Sequence, residues 1–345
     1  MLARHFSVSN GTLKEITMKK DEKEACNTLR ELLSAAVEKS DAEALLLSGG
    51  LDTSILAALA SDQGKNKKAL TVALVGTRAP DLKYAQKVAQ KFRYEHHLIC
   101  ISETEALEKL PEVITAVRSF DPALPNDLTI YVALEEAKNL GIKSVMTGDG
   151  ADEIFAGYYY MHELSPDALN KYIKAISKTM WFSSNKLGAS LDVEITQPFL
   201  DKNLVDFALE INSGLNVKER DGRKYGKWLL REAFEEELGE VAWRAKEPIE
   251  FGSGTTKLRD SIRRKISDAE FEEKKREYEL EFMNKEHLFF YELYKEVVGE
   301  IPKSLEKGKK ECPLCKAELP EDKCHCNICG FSYPIARYIG KSSFE

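Results

Sequence analysis

A chain of 345 residues with 43% hydrophobic content can bury a sizeable core, as one large or two modest domains. Its 57 acids against 50 bases leave a formal charge of −7, which excludes binding to nucleic acid by bulk charge alone. No apolar run reaches membrane-spanning length and no signal-peptide core opens the chain, so a soluble cytoplasmic protein is expected.

In chain order, residues 4–17 read as two short strands around Asn10-Gly11, a hairpin signal. Residues 21–39 follow as an amphipathic helix with Leu29, Leu32, Leu33, Ala36 and Val37 on one face. Cys26 shares that face and reads as a small core residue rather than a nucleophile. These segments form an expected N-terminal unit, residues 1–40.

From Ala42 the pattern alternates. Strands are expected at 43–48, 69–75, 94–101 and 142–147, and helices at 53–62, 81–92, 104–118 and 127–140. Alternation of this kind predicts an α/β fold with a doubly wound parallel sheet, whose ligands sit outside the carboxyl ends of the strands.

The first strand runs into Leu47, Ser48, Gly49, Gly50, Leu51, Asp52, Thr53 and Ser54. A glycine turn opening a helix aims backbone N–H groups and the positive end of the helix dipole at an anion. Ser48, Thr53 and Ser54 add hydroxyl donors, and Asp52 can hold the magnesium that accompanies a nucleotide. Glycines at a tight structural corner are the plainer alternative.

After the second strand, Val75-Gly76-Thr77 lets a flat base approach the backbone or simply turns the chain, with Asp81 in the first turn of the next helix. After the fourth come Thr147, Gly148, Asp149, Gly150, Ala151, Asp152 and Glu153. Three acids this close repel one another unless a cation or a basic partner sits among them, which points to a metal or substrate site.

Residues 257–286 are dense in both charge signs and read as a solvated helical face, followed by a linker over 302–310. Cys312/Cys315 and Cys326/Cys329 are two CxxC knuckles able to place four thiolates around Zn²⁺, with Cys324 or His325 as possible substitutes. A redox CxxC is the weaker reading. A zinc ribbon this small is expected to stabilise a piece too short for its own core and to offer a recognition surface. Lys307, Lys309, Lys310, Lys316, Lys323, Arg337 and Lys341 make its segment mildly basic.

SGGLDTS followed by GDGADEIFAGY resembles the synthetase domain of the asparagine synthetase family. Further matches fall in that family's order: Gln197-Pro198-Phe199-Leu200-Asp201, then Lys227-Trp228-Leu229-Leu230-Arg231. Arg244-Ala245-Lys246-Glu247-Pro248 with Gly252 comes next, and Asn284-Lys285-Glu286 with Phe290-Tyr291 closes the series. The loop at Ser48 is of the ATP-pyrophosphatase type rather than a Walker A loop, whose lysine is missing.

The resemblance implies an adenine nucleotide alpha hydrolase-like fold over residues 41–300, with a helical C-terminal half and the ribbon over 301–345. It also implies an AMP-forming ligase that adenylates a carboxylate and passes an amine or ammonia to it. By the same resemblance, Leu47 to Ser54 cradle ATP, Asp52 and Asp152 ligate magnesium, and Val75, Gly76, Thr147 and Gly148 border the nucleotide. Lys246 would neutralise the α-phosphate and Asp149 would take a proton from the amine. Position 2 is Leu2, not the nucleophilic cysteine of the family's glutaminase domain, so a separate glutaminase or free ammonia is expected.

Two departures bear on the substrate. Asp149 is one methylene shorter than the glutamate of many asparagine-forming members. Asp121-Pro122-Ala123-Leu124-Pro125-Asn126-Asp127 replaces the family's Thr-Thr-x-Arg-like clamp, which removes the natural partner of a second carboxylate. A tRNA-modifying ATP pyrophosphatase that holds RNA with the ribbon is the alternative, and a nucleotide-binding regulator without turnover is a third.

Overall fold

The computed structural model describes residues 10–64, 68–302, 310–319 and 325–334, with side chains from residue 21 onward. Five strands form one parallel sheet: β1 Ala44–Leu46, β2 Lys68–Leu74, β3 Glu95–Ile101, β4 Ser144–Met146 and β5 Glu194–Thr196. Their order is β3-β2-β1-β4-β5, so β1 and β4 are neighbours although three helical crossovers separate them in sequence. That reversal between β1 and β4 is the switch point at which such sheets open a crevice.

Helices cover both faces. On one side, α1 Asn10–Lys39, α2 Leu51–Asp62 and α3 Pro80–Lys91 join α9 Lys202–Glu210 and α10 Trp228–Leu238. They bury Leu29, Leu33, Ile55, Leu56, Val88, Leu204 and Phe234. On the other, α4 Glu103–Val117, α5 Leu124–Asn139, α8 Ser183–Leu191, α12 Lys257–Lys265 and α14 Lys285–Val297 pack around Val113, Leu128, Leu187, Ile262, Phe290 and Tyr294. Within β1, Ala44 points into the second cluster and Leu45 into the first, as the period of two in a strand requires. Each fully buried leucine contributes about 1.5–3 kcal/mol.

The remaining elements are short. Helices α6 Ala151–Ile154, α7 Pro166–Ile176 and α11 Ile249–Ser253 border the crevice, α13 Asp268–Tyr278 lies outside it, and β6 Lys218–Arg220 pairs with β7 Arg223–Tyr225.

The alternation expected between Ala42 and Thr147 is present. Helix α5 starts at Leu124, three residues before the expected 127, because Pro125 fits a first helical turn. The N-terminal hairpin is corrected in part: residues 10–17 belong to helix α1. From Thr12 onward the chain is rich in Lys, Glu, Met and Leu, so a helix anchored by Leu29, Leu33 and Val37 propagates back through Asn10-Gly11. Residues 4–9 lie outside the described residues.

The solvated face expected over 257–286 holds for α13, which has no buried residue. It fails for α12, where Leu258 and Ile262 are fully buried four residues apart. Most of the expected linker, residues 303–309, lies outside the described residues, as do Lys323, Cys324, Arg337 and Lys341. No helix among the described residues is long and apolar enough to cross a membrane.

Candidate active site and cysteine centre

The loops after β1 and β4 meet at the switch point. A Cβ on Gly148 would lie 3.1 Å from the Asp52 Cβ and 3.3 Å from the Thr53 methyl, so the two loops abut closely and a larger residue would push them a few tenths of an ångström apart. The β1 loop is shaped by Ser48, whose hydroxyl accepts from the Gly50 N–H at 3.2 Å and lies 3.2 Å from the Thr53 hydroxyl. Gly50 caps α2 without a side-chain partner, which leaves first-turn N–H groups for an anion.

Beside this loop two acids and two lysines alternate. Lys227 Nζ lies 2.6 Å from Asp52 Oδ2 and 2.7 Å from Asp152 Oδ1, and Lys246 Nζ lies 2.6 Å from Asp152 Oδ2. Lys227 is only 3% exposed and its backbone is left-handed at the start of α10. It reaches the acids past Gly157, where a Cβ would strike both Asp152 and the Lys227 chain. Burial would raise the Asp152 pKa, but Lys227 and Lys246 hold it well below the ordinary carboxylate range. Burial disfavours the Lys246 charge, yet Asp152 and Asp52 lift its pKa above that of an ordinary lysine.

Asp52 Oδ1 is buried and meets no donor among the described residues. An orphaned hard oxygen next to a second carboxylate fits a magnesium ion, which binds through one or two carboxylates plus phosphate oxygens.

Arg244 ties the loop to its surroundings. It donates to Ser48 O at 3.3 Å, to Asp81 Oδ1 at 2.6 Å and to Glu247 Oε2 at 2.9 Å, and its guanidinium lies 4.2 Å from the Tyr84 ring centre. Burial pushes the Asp81 carboxyl up to about 6 against the pull of Arg244. Arg231 is buried and donates to the carbonyls of Gly226, Ala242 and Arg244. It holds the turn that carries Lys227 and the loop that carries Lys246. Asp201 caps α9 through the Asn203 N–H and pairs with Lys39 at 2.8 Å, a structural role.

Asp149 is fixed by three donors on one oxygen. Thr147 Oγ1 at 2.7 Å, Ser184 Oγ at 2.6 Å and Gln197 Nε2 at 2.9 Å all reach Oδ2, which leaves Oδ1 for a ligand. Nearby, burial pushes the Asp127 carboxyl up to about 7 although Ser183 Oγ donates to it at 2.5 Å.

These groups line one cavity of roughly 770 Å³, within the ~300–1,000 Å³ range of small-molecule sites. Leu47, Ser48, Gly50, Asp52, Thr53, Thr147, Gly148, Asp149, Asp152 and Lys246 all face it. Gly49 and Ser54 lie behind the loop, Ser54 being wholly buried. Val75 and Gly76 are not part of the lining, and Val75 is 57% exposed; Leu70, Thr71 and Val72 of β2 line the cavity instead.

Asn126, in the segment that departs from the family pattern, accepts from the Glu250 N–H at 2.8 Å and so fastens α11 to α5. The nearest arginine behind that segment, Arg259, is spent on Glu250 and the Pro122 carbonyl.

Sequence reasoning missed Lys227, Asp127, Ser183, Ser184 and Arg244 as site residues. A lysine and an arginine inside matched motifs were a usable signal. Nothing local marks two serines in a polar turn.

At the far end, Cys312, Cys315, Cys326 and Cys329 are buried with their sulfurs within 4.8 Å of one another. The Cys312–Cys329 and Cys315–Cys326 separations are 3.5 and 3.6 Å, near the roughly 3.8 Å expected between thiolates around one tetrahedral Zn²⁺. The knuckles are built alike: Cys312 N–H donates to Ala317 O and Cys326 N–H to Phe331 O, both at 2.8 Å. Lys316 and Gly330 occupy equivalent left-handed positions. His325 lies outside the sulfur cluster, its Nδ1 2.7 Å from Ser332 Oγ. Cys324 lies outside the described residues.

Comparison with known proteins adds to this geometry. The family model for asparagine synthase matches residues 28–186 and 168–298. Asparagine synthetase B (glutamine-hydrolysing) of Escherichia coli is 33% identical over 275 residues, 71% of this chain and 49% of that protein. The glutamine-hydrolysing asparagine synthetase of Zea mays is 32% identical over 250 residues, 66% of this chain and 42% of that one. The chain thus spans about half the length of the curated relatives it matches. Among solved structures, an NMN synthetase from Francisella tularensis aligns over 68% of this chain and 94% of its own, at 18% identity and a TM-score of 0.29.

Proposed function

The chain belongs to the asparagine synthase family, and from that premise we propose that it is an ATP-dependent, AMP-forming carbon–nitrogen ligase acting on a small carboxylate. One observation carries the reading. Asp52 and Asp152, from loops on different strands, converge with Lys227 and Lys246 beside an anion-binding helix N-terminus.

In the proposed reaction a carboxylate oxygen attacks the α-phosphorus of ATP, pyrophosphate leaves, and an amine or ammonia then displaces AMP to give an amide. The backbone of residues 48–53 holds the phosphates. Asp52 and Asp152 would hold magnesium, which neutralises phosphate charge when bound. Lys246, kept charged by its acids, meets the negative charge that builds on the transferring phosphorus, the largest kind of help such a site gives. Lys227 keeps the two acids together despite their repulsion. Asp149, pinned through Oδ2, offers Oδ1 to the proton of the incoming amine. The four cysteines hold structural zinc, a thiolate site that fits the reducing cytoplasm.

Pyrophosphate release measured with ATP, a carboxylate panel and ammonium tests the reading. Release that needs carboxylate supports it, and Asp52→Ala abolishes release. Release only with tRNA would replace it with the RNA-modifying alternative, against which the ribbon's inward docking and the −7 charge argue.

A further inference from the structure

The ribbon was expected as an appendage on a linker, but its second knuckle is seated on the catalytic domain. The Ile328 carbonyl accepts from the Phe120 N–H at 2.7 Å and from Ser119 Oγ at 3.0 Å. Gly330 packs so close to Asp121 that an added Cβ would sit 2.4 Å from the carboxylate, so a larger residue there would displace the Asp121 side chain. His325 Nε2 lies 3.6 Å from Asp121 Oδ2.

Behind these contacts the four cysteines, Ala317 and Leu319 belong to the same apolar core as Phe120, Leu124, Tyr291 and Tyr294. Phe120 stacks on His287 at 5.1 Å and meets Tyr291 and Tyr294 edge-on. The loop that receives the knuckle, Ser119–Ala123, is also the loop that leads into Asn126 and Asp127 on the cavity wall.

Three ribbon residues, His325, Asn327 and Ser332, themselves line the active-site cavity. His325 stands beside Asp121 and Ser332 beside His325, while Asp127, held by Ser183, lines the same cavity. Among the described cavity-lining residues the full cations are Lys227, Arg244 and Lys246, tied to the phosphate loop or its acids, and Arg231, tied to the Gly226, Ala242 and Arg244 carbonyls. Among the described residues, the ribbon side of the cavity therefore offers amide, hydroxyl, imidazole and carboxyl groups without an arginine or lysine.

We propose that the cysteine ribbon is a wall of the active site, and that Asn327 and Ser332 contact the acceptor carboxylate's polar side group and help to select it. The inference rests on the ligase reading above. The substrate class it assigns is a small carboxylate whose second functional group is amino, amide or hydroxyl rather than a second carboxylate, because a carboxylate there meets no lysine or arginine among the described lining residues.

The test uses the full-length zinc-loaded protein and ATP–pyrophosphate exchange with the L-amino acids, short hydroxy acids and short dicarboxylates as probes. Exchange is expected with amino, amide or hydroxyl carboxylates above aspartate or glutamate. Asn327→Ala with Ser332→Ala should raise the KM of the preferred carboxylate about tenfold, the loss expected from one or two hydrogen bonds. The KM for ATP and the zinc content stay unchanged, and Ser332→Thr, which keeps the hydroxyl, restores part of the loss.

Removal of zinc with a zinc-selective chelator should speed hydrogen exchange in residues 118–128 and leave residues 47–54 as protected as before. This readout needs no substrate and serves even if the double variant does not fold. Unchanged carboxylate KM in the variant, a preference for dicarboxylates, or unchanged exchange over 118–128 after zinc loss overturns the proposal while leaving the ligase reading intact. Silence from every carboxylate in the wild-type protein with ATP bound overturns the ligase reading, and this inference with it.

Discussion

Lys227 is the residue whose removal tests the site most sharply. It is 3% exposed, and its ammonium bridges Asp52 at 2.6 Å and Asp152 at 2.7 Å. Lys227→Met keeps the apolar stem and deletes the charge, leaving two buried carboxylates of which only Asp152 keeps an ion pair, with Lys246. Breaking a buried ion pair by removing one partner costs about 3–5 kcal/mol. At roughly 2–4 °C per kcal/mol for domains somewhat smaller than this one, the melting point should fall by about 6–20 °C.

The pH dependence has a definite sign. Lys227 and Lys246 depress the Asp152 pKa, so their stabilisation is full at neutral pH and lost as pH falls below the unfolded carboxylate value of about 4. The gap between wild type and variant is therefore widest near pH 7.5 and narrows towards pH 3.5. Millimolar magnesium should recover part of the loss at neutral pH, since a divalent cation can stand between the same carboxylates. Calorimetry with and without magnesium across that pH range checks this. A melting point unmoved by the substitution, or a loss that is equal at every pH and indifferent to magnesium, would refute the account.

Asp52→Ala should leave the fold standing but stop pyrophosphate release, read in a coupled phosphate assay. Asp127 carries a pKa of about 7 through burial, so the folded state holds a proton that the unfolded state has lost between about pH 4 and 7. Stability should therefore decline as pH rises through that window, and Asp127→Asn should remove the decline, gaining about 2–4 kcal/mol relative to wild type at pH 8. Denaturant midpoints at pH 5 and 8 test it; equal differences at both would be contrary. Replacing Cys312 and Cys315 by Ser should empty the cluster by metal analysis and lower the melting point of the whole domain, because the ribbon shares a core with Phe120 and Tyr294. A domain that melts unchanged would mean the ribbon is only tethered.

Much of the fold was legible because its signals are local. The leucines of β1, the glycine turn after it and the apolar faces of α2 to α5 follow from strand and helix periods. The acids of the β4 loop called for a positive partner by their spacing, and Lys227 and Lys246 meet Asp152 there. The hairpin at Asn10-Gly11 was misread because a two-residue turn signal was weighed without the long helix that runs through it. Helix α12 was misread because its high charge density masks two leucine-like positions, Leu258 and Ile262, one turn apart.

What the sequence determined by itself is the residue type at short spacing: a glycine turn with hydroxyls after β1, clustered acids after β4 and two paired-cysteine knuckles near the C-terminus. Those depend on residue type at short fixed spacing, which the chain carries wherever it folds. Only the tertiary structure decided which of these meet. It brought Lys227 between Asp52 and Asp152, placed Ser184 and Gln197 on Asp149, and turned the ribbon's second knuckle into the cavity beside Asp121. Such encounters join positions 35 or more residues apart, and they arise from helices packing on two faces of one sheet rather than from any local pattern.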